Sequence, residues 1–285
     1  MQGNEIPGVH VNASFKKHGE IDRPNDFTVW ENMDAGCLAY LLPNPALLPA
    51  FHDIAGWHAL SFPDPQRVSL PESLCWHVLL SIGKALLWLH HGVKQTDGVT
   101  GEYMKHDEDW QPILVRDVSP GQVWFKHPVK GETYGECKLG GMQWAKVTGA
   151  PMGMIAMAER FEEASVEKQL YWAPVSFSFY KVKRREENTN VDWEQEIYNK
   201  TALHTRASEI WSLGAVVYTM MTGIPPPRYY EYNWQISRMT DKGFSRPLRE
   251  IVAAMLNPEV GKRPNSLRLI DRAEEGWRVV SLEKF

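Results

Sequence analysis

The feature that most constrains the fold is an apolar run in the last third of the sequence, over residues 206–223. Apolar side chains between Ile210 and Met221 fall on nearly every side of a helical wheel. A helix that is hydrophobic all round lies at the centre of a large fold or in a membrane. The run is much shorter than the roughly 20 residues of a bilayer span. With Ser208 as N-cap and Gly223 as stop signal, the sequence predicts a buried central helix.

The composition is that of an ordinary soluble globular protein. The chain has 285 residues, of which 43% are hydrophobic and 23% charged, and its formal net charge is −4. We therefore expect one large or two small domains and no nucleic acid as the main partner. The three cysteines, Cys37, Cys75 and Cys137, are far apart and indicate neither a disulfide framework nor a zinc site. Because the start does not resemble a signal peptide, we expect an intracellular protein, cytoplasmic or nuclear, with no membrane partner.

A second helix is predicted after a proline-rich stretch. Residues 43–70 read as a loop-rich insertion, and the pattern S-L-P-E at residues 69–72 is a capping box that predicts a helix start. His90 and His91 lie in the last turn, where the helix dipole favours histidine, so we do not expect them to bind a metal. Gly92 ends the helix. Its apolar stripe runs through Leu74, Val78, Ile82, Leu86 and Leu89.

Three polar stretches are expected to lie at the surface. Residues 1–26 are rich in Gly, Asn and Lys, and we expect them to be poorly ordered. Residues 93–112 read as an exposed insert. The basic cluster at residues 181–185 is flanked by acidic and polar residues, which favours a solvated loop over a docking patch.

Several segments resemble, in the same order, the motifs of eukaryotic-type protein kinases. The central helix, S-E-I-W-S-L-G-A-V-V-Y-T-M-M-T-G-I-P-P at residues 208–226, resembles the kinase segment S-D-I-W-S-L-G-x-x-x-Y-E-M-x-T-G-x-P-P. Residues 31–42 resemble the hinge, E-x-M-x-x-G-S-L-x-x-L-L. Residues 113–125, I-L-V-R-D-V-S-P-G-Q-V-W-F, resemble the catalytic loop I-x-H-R-D-x-K-P-x-N. Residues 138–146 resemble K-L-x-D-F-G-L-A-K, and shorter matches to Y-x-A-P-E and R-P-[ST] follow at residues 170–175 and 261–266.

The resemblance implies an α+β fold that is mainly α, with a kinase-like large lobe and a truncated or absent small lobe. Residues 27–285 would form this domain, as hinge plus C-terminal lobe. In the family the small lobe carries a glycine-rich loop and a phosphate-binding lysine. Neither G-x-G-x-x-G nor V-A-x-K occurs before the hinge-like segment.

The resemblance also implies a role for individual residues of the catalytic loop. Asp117 matches the aspartate that orients the substrate hydroxyl, and Arg116 the arginine that pairs with a phosphorylated activation segment. Three positions are degenerate. Ser119 replaces a lysine that contacts the transferred phosphate, Gln122 replaces an asparagine that holds a second magnesium, and Gly141 replaces the aspartate that holds the bridging magnesium. Without that metal the largest neutralising charge of the site is lost.

Other positions keep a structural role while the chemistry changes. Val115 and Met142 stand where the family has a histidine and a phenylalanine that pack into a buried spine, and both remain apolar. Glu209 replaces the aspartate that braces the catalytic loop. Val175 replaces a glutamate whose usual partner is Arg263. Because an unpaired buried arginine is costly, we expect Arg263 to be exposed or paired elsewhere, near Glu209 or with a carbonyl.

Three functions remain open from the sequence. The first is a kinase-fold protein without phosphotransfer activity that acts as a binding or scaffold module for a protein partner. It needs no cofactor and no metal, and Asp117 would then accept hydrogen bonds within its own loop. The second is a weak or unconventional serine/threonine kinase that uses ATP and magnesium, with Glu31 and Met33 as hinge contacts. The third is an incomplete or decaying kinase copy.

The first function also predicts an exposed apolar face. A large lobe without its small lobe would leave its upper surface uncovered. The candidate residues for this face lie between Phe27 and Leu42 and around Met142 and Trp144.

Overall fold

The computed structural model describes residues 31–43, 69–96, 101–148, 157–160, 166–173, 201–226, 238–240 and 242–283. The segment 1–26 and most of the proline-rich insertion lie outside these ranges, as do Val175 and the basic cluster at 181–185. The helices of the described part are α1 Glu72–His91, α2 Val166–Gln169, α3 Arg206–Thr222, α4 Arg246–Met255 and α5 Ser266–Glu283. Its strands are β1 Val93–Gln95, β2 Tyr103–Lys105, β3 Ile113–Leu114, β4 Val123–Phe125, β5 Cys137–Leu139, β6 Lys146–Val147, β7 Met157–Arg160 and β8 Thr201–His204.

Helix α3 is the predicted central helix, and every residue from Ser208 to Thr222 is buried. Its N-cap is Thr205, so the prediction of Ser208 was wrong. Thr205 Oγ1 accepts from the Ser208 amide at 3.1 Å, and Ser208 Oγ accepts from the Thr205 amide at 2.7 Å. Ser208 is therefore the third helical residue of a reciprocal capping box. Gly223 ends the helix with φ 77°, as predicted.

Two polar side chains inside α3 are buried and keep hydrogen bonds. Ser212 Oγ donates to the Ser208 carbonyl at 3.0 Å, and Thr219 Oγ1 donates to the Ala215 carbonyl at 2.7 Å. Because these hydroxyls bond within their own helix, their burial avoids the cost of an unsatisfied polar group. An all-round apolar helix can thus contain them at the centre of the core.

Helix α1 packs against α3 and α5. Its predicted apolar stripe is buried, and Gly92 ends it in a left-handed conformation. The predicted capping box was wrong, since the N-cap is Pro71 and makes no side-chain cap bond. The Glu72 carboxylate instead accepts from Trp76 Nε1 at 3.1 Å and from the Ser245 amide at 3.3 Å.

Helix α1 is also long and apolar enough to cross a bilayer, judged by length and composition. In the folded chain, 61% of its most apolar 18-residue window is buried inside the protein. Helices that form the core of a large fold show this burial. We therefore interpret α1 as a core helix.

The sheets of the described part are small antiparallel pairs, β1–β2, β3–β6, β4–β5 and β7–β8. In the β4–β5 hairpin, Trp124 lies opposite Lys138. The hinge-like segment joins this hairpin, because the Ala35 amide donates to the Phe125 carbonyl at 3.1 Å and the Phe125 amide donates to the Gly36 carbonyl at 2.9 Å. The insert at residues 93–112 contains the β1–β2 hairpin and is thus partly regular. Long helices with small sheets agree with the α+β class.

Candidate functional site around the 115–122 loop

The predicted catalytic loop lies between β3 and a short 3-10 helix, Pro120–Gln122. Val115 and Val118 are buried in the hydrophobic core and anchor the loop. The packing role expected for Val115 is therefore present. Between them, Arg116 has φ 67°, and among the described residues no other non-glycine residue has a positive φ. A residue other than glycine adopts this conformation at a cost of about 1–2 kcal/mol, so neighbouring contacts must hold it there.

Glu209 of α3 supplies such a contact. One carboxylate oxygen accepts from the Arg116 amide at 2.8 Å, and the other accepts from His90 Nε2 at 2.8 Å. Both His90 and Glu209 side chains are almost fully buried. The bracing role expected for Glu209 is thus present in the geometry.

The pairing of His90 with Glu209 was missed from the sequence. The position of His90 in the last turn of its helix indicated only an interaction with the helix dipole. The two residues are 119 positions apart, and no local pattern joins them. An ionised carboxylate can only accept hydrogen bonds, so Nε2 of His90 is the protonated nitrogen.

The carboxylate of Asp117 is engaged within its own loop. Ser119 Oγ donates to Asp117 Oδ1 at 2.8 Å, and Gln122 Nε2 donates to Asp117 Oδ2 at 3.3 Å. Asp117 and Ser119 are both buried. Two of the three degenerate positions therefore act on Asp117 itself, and the intra-loop interpretation of this aspartate agrees with the geometry.

The third degenerate position lies against the same side chains. Gly141 has φ 76°, and a methyl group placed on it would lie 3.2 Å from Cδ and Oε1 of Gln122. A methyl group on Gly140 would lie 2.9 Å from Cδ1 and Nε1 of Trp124. Met142 is partly buried and packs against the core, as expected. The structure thus brings together Asp117, Ser119, Gln122 and Gly141.

These residues do not fit a divalent cation. Magnesium requires oxygen ligands, usually one or two carboxylates. Asp117 offers one carboxylate, but the Gln122 amide nitrogen points at it, and Gly141 offers no side-chain ligand. Within the described ranges, no group of three or more His, Cys, Asp or Glu residues is arranged to hold a metal ion.

The proposed hinge contacts lie at the edge of the β4–β5 hairpin. The Glu31 carboxylate is bound by Lys126 and Lys138, and each lysine also pairs with Glu136 at 3.0 Å. The hydrogen bonds from these two lysines lower the pKa of the Glu31 carboxyl. The four side chains of these ion pairs are 32–52% exposed, and ion pairs at the surface contribute little stability. The two lysines hold the Glu31 side chain against the hairpin. Met33, two residues further along the chain, is half-buried.

Arg263 has the carbonyl partners that the sequence analysis anticipated. It is buried and donates from Nε to the Asn257 carbonyl at 2.7 Å, with further bonds to the Ala207 and Pro258 carbonyls at 3.2 and 3.3 Å. Its guanidinium also lies 4.9 Å from the centre of the Trp211 ring. These contacts link the start of α3 to the turn before α5.

Comparisons with known proteins point to protein kinases. The chain is 21% identical over 250 residues to the calcium and calcium/calmodulin-dependent serine/threonine-protein kinase DMI-3 of Medicago truncatula, a match that covers 80% of this chain and 47% of that protein. A stretch of 56 residues, 20% of this chain, is 45% identical to mitogen-activated protein kinase kinase kinase 4 of mouse and human, 3% of each of those proteins. The chain therefore spans about half the length of the plant relative and a small fraction of the mammalian ones. No protein-family model matches it. The similarities support a relationship between this chain and the protein kinases.

Proposed function

We propose that the chain is a kinase-related binding module that transfers no phosphate. The observation that carries this proposal is the state of Asp117, whose two carboxylate oxygens accept from Ser119 and Gln122. A residue that orients a substrate hydroxyl needs an oxygen that can accept from the substrate. Here Ser119 and Gln122 each occupy an acceptor site on a buried carboxylate, which leaves a substrate hydroxyl only the remaining sites.

Charge in the site supports the same conclusion. Phosphoryl transfer depends on positioning and on neutralising the charge of the phosphates. Ser119 brings no cation to the site, and Gly141 brings no side-chain metal ligand. At about 1.4 kcal/mol per tenfold in rate, the loss of a metal ion removes many orders of magnitude.

Contacts with the rest of the protein nevertheless hold the 115–122 loop in one conformation, which favours a role for this loop in the structure. Glu209 braces Arg116 from the buried central helix, and Arg263 donates to three backbone carbonyls. The same brace and the retained Asp117 favour, as a second candidate, weak serine/threonine phosphotransfer from ATP.

A phosphotransfer assay decides between the two candidates. Purified chain is incubated with γ-labelled ATP, magnesium or manganese, and a generic hydroxyl substrate, beside Asp117→Asn. The binding module predicts the same background signal from both proteins. A signal above background that Asp117→Asn abolishes would refute the proposal and support the weak kinase.

The proposed partner is a protein, and the proposed location is intracellular. All three cysteines are buried and unpaired, as in proteins of reducing compartments. Near the hinge-like segment, Tyr40 is 80% exposed and Leu41 is 49% exposed, which supports the expected apolar face there; Phe27 and the Trp144 side chain are outside the described set. If this face binds the partner, Tyr40→Ser with Leu41→Ser weakens the interaction, whereas Val129→Ser, on an exposed loop, leaves it unchanged. Equal binding by both variants would exclude this face.

A further inference from the structure

The niche between Asp117 and the glycine pair 140–141 is filled by side chains of the protein. Gln122 lies over Gly141, 3.2 Å from the position of an added methyl group. Trp124 lies over Gly140, 2.9 Å from the position of an added methyl group. Each glycine allows a neighbouring side chain to lie directly on the backbone. A metal ion would therefore find no side-chain ligand at position 141, and the space beside that position is filled by Gln122.

Gln122 connects the two sides of this niche. Its Nε2 donates to Asp117 Oδ2 at 3.3 Å, while its Cγ, Cδ and Oε1 lie within 3.2–3.3 Å of the position that a side chain at Gly141 would take. A carboxylate introduced at position 141 would thus meet the Gln122 side chain before it met a cation. Gln122 would therefore occupy the space between the two carboxylates, with its NH2 group on Asp117 and its amide oxygen on the side of position 141.

We propose that Gln122 plugs this niche, so that the exclusion of a divalent cation depends on Gln122 and Gly141 together. This inference rests on the proposed function, because it assumes that the wild-type site holds no metal. Asparagine at position 122 is one methylene shorter and cannot span from Asp117 to position 141. With the plug shortened, two carboxylates and an amide oxygen would face one another, and these are the oxygen ligands that hard cations take.

The test measures Mn²⁺ binding by electron paramagnetic resonance on the full chain, with no nucleotide and no activity readout. Four proteins are compared, namely wild type, Gly141→Asp, Gln122→Asn, and the double variant. Gly243→Asp is the matched control, because Gly243 also has a positive φ, 73°, and nothing lies within 4 Å of an added methyl group. Gly243→Asp adds the same charge, at a position with a similar backbone conformation that is away from Gln122. Circular dichroism and thermal midpoints establish that each variant is folded.

We expect the double variant to bind Mn²⁺ at least about tenfold more tightly than Gly141→Asp, since affinity for a hard cation follows the number of available charged oxygens. Wild type, Gln122→Asn and Gly243→Asp should show no specific binding. If Gly141→Asp binds as tightly as the double variant, Gln122 is no plug and the inference is wrong, while the proposed function stands. A folded double variant that binds no Mn²⁺ also refutes the inference. Specific binding by wild type would instead refute the proposed function.

Discussion

The brace between α3 and the 115–122 loop predicts a large and specific loss of stability on removal of the Glu209 carboxylate. Glu209→Ala leaves the Arg116 amide and His90 Nε2 without their acceptor. Both bonds run to a charged acceptor in the core, and each such bond is worth about 1.5–3 kcal/mol. The expected loss is therefore about 3–6 kcal/mol, which lowers the thermal midpoint of a chain of 285 residues by about 5–10 °C.

Glu209→Gln is the matched control because it keeps the shape of the side chain. Its amide oxygen can accept from the Arg116 amide, and its NH2 group can donate to His90 Nε2. The histidine must then carry its proton on Nδ1, which is buried and has no hydrogen-bond partner among the described residues. Because Nδ1 has no partner in the wild type either, the cost comes from replacing two bonds to a charged acceptor by two neutral bonds, and we expect it to be about 2–3 kcal/mol.

Thermal and urea denaturation followed by tryptophan fluorescence measure both variants. The order of stability should be wild type, then Glu209→Gln, then Glu209→Ala. If the two variants are equally destabilised, the carboxylate does not act as a pair of acceptors. A loss below about 1 kcal/mol for Glu209→Ala would likewise contradict the reasoning, because it is smaller than the cost of one lost buried bond.

Three further outcomes follow from buried groups elsewhere in the chain. Arg263→Lys should cost about 2–4 kcal/mol in urea denaturation, because one ammonium cannot reach all three carbonyls; a loss below about 1 kcal/mol would contradict this. Burial, with a contribution from Arg206, lowers the pKa of His91 from 6.5 to about 4. The unfolded chain therefore takes up the proton first, and stability decreases as the pH falls from 6.5 to about 4. His91→Gln should flatten that part of the stability–pH curve, and a curve equal to that of the wild type would refute the assignment. Burial raises the pKa of the Cys75 and Cys137 thiols to about 12. A thiol reagent at about pH 8 should label neither until the chain unfolds, and labelling of either in the native state would contradict their burial.

The parts of the fold that depend on local chemistry could be predicted from the sequence. The central helix follows from an apolar run too short for a membrane, and Gly223 and Gly92 ended their helices as expected. The caps were less predictable, because several hydroxyl and acidic residues near a helix start compete for the same amides. Thr205 is the N-cap instead of Ser208, because the side-chain oxygen of each residue accepts from the backbone amide of the other.

The candidate site was predictable only as a set of residue types. Resemblance placed Asp117, Ser119, Gln122 and Gly141 in one frame, and the structure brings them together. The resemblance could not show that Gln122 donates to Asp117 and covers Gly141, because both contacts depend on the side-chain conformation of Gln122. Nor could it show the bond of His90 to Glu209, which joins distant parts of the chain through the packing of α1 on α3.

A thermal-denaturation titration with ATP shows whether the protein has a working nucleotide–metal site. Wild-type protein is heated with increasing ATP, with and without magnesium or manganese. A ligand that binds the folded state alone stabilises it by about 2.7 kcal/mol at a hundredfold excess over its dissociation constant. We expect no metal-dependent change in the midpoint at millimolar nucleotide. A rise that requires the metal would show that the protein binds a nucleotide–metal complex, and it would contradict the proposed loss of the metal site.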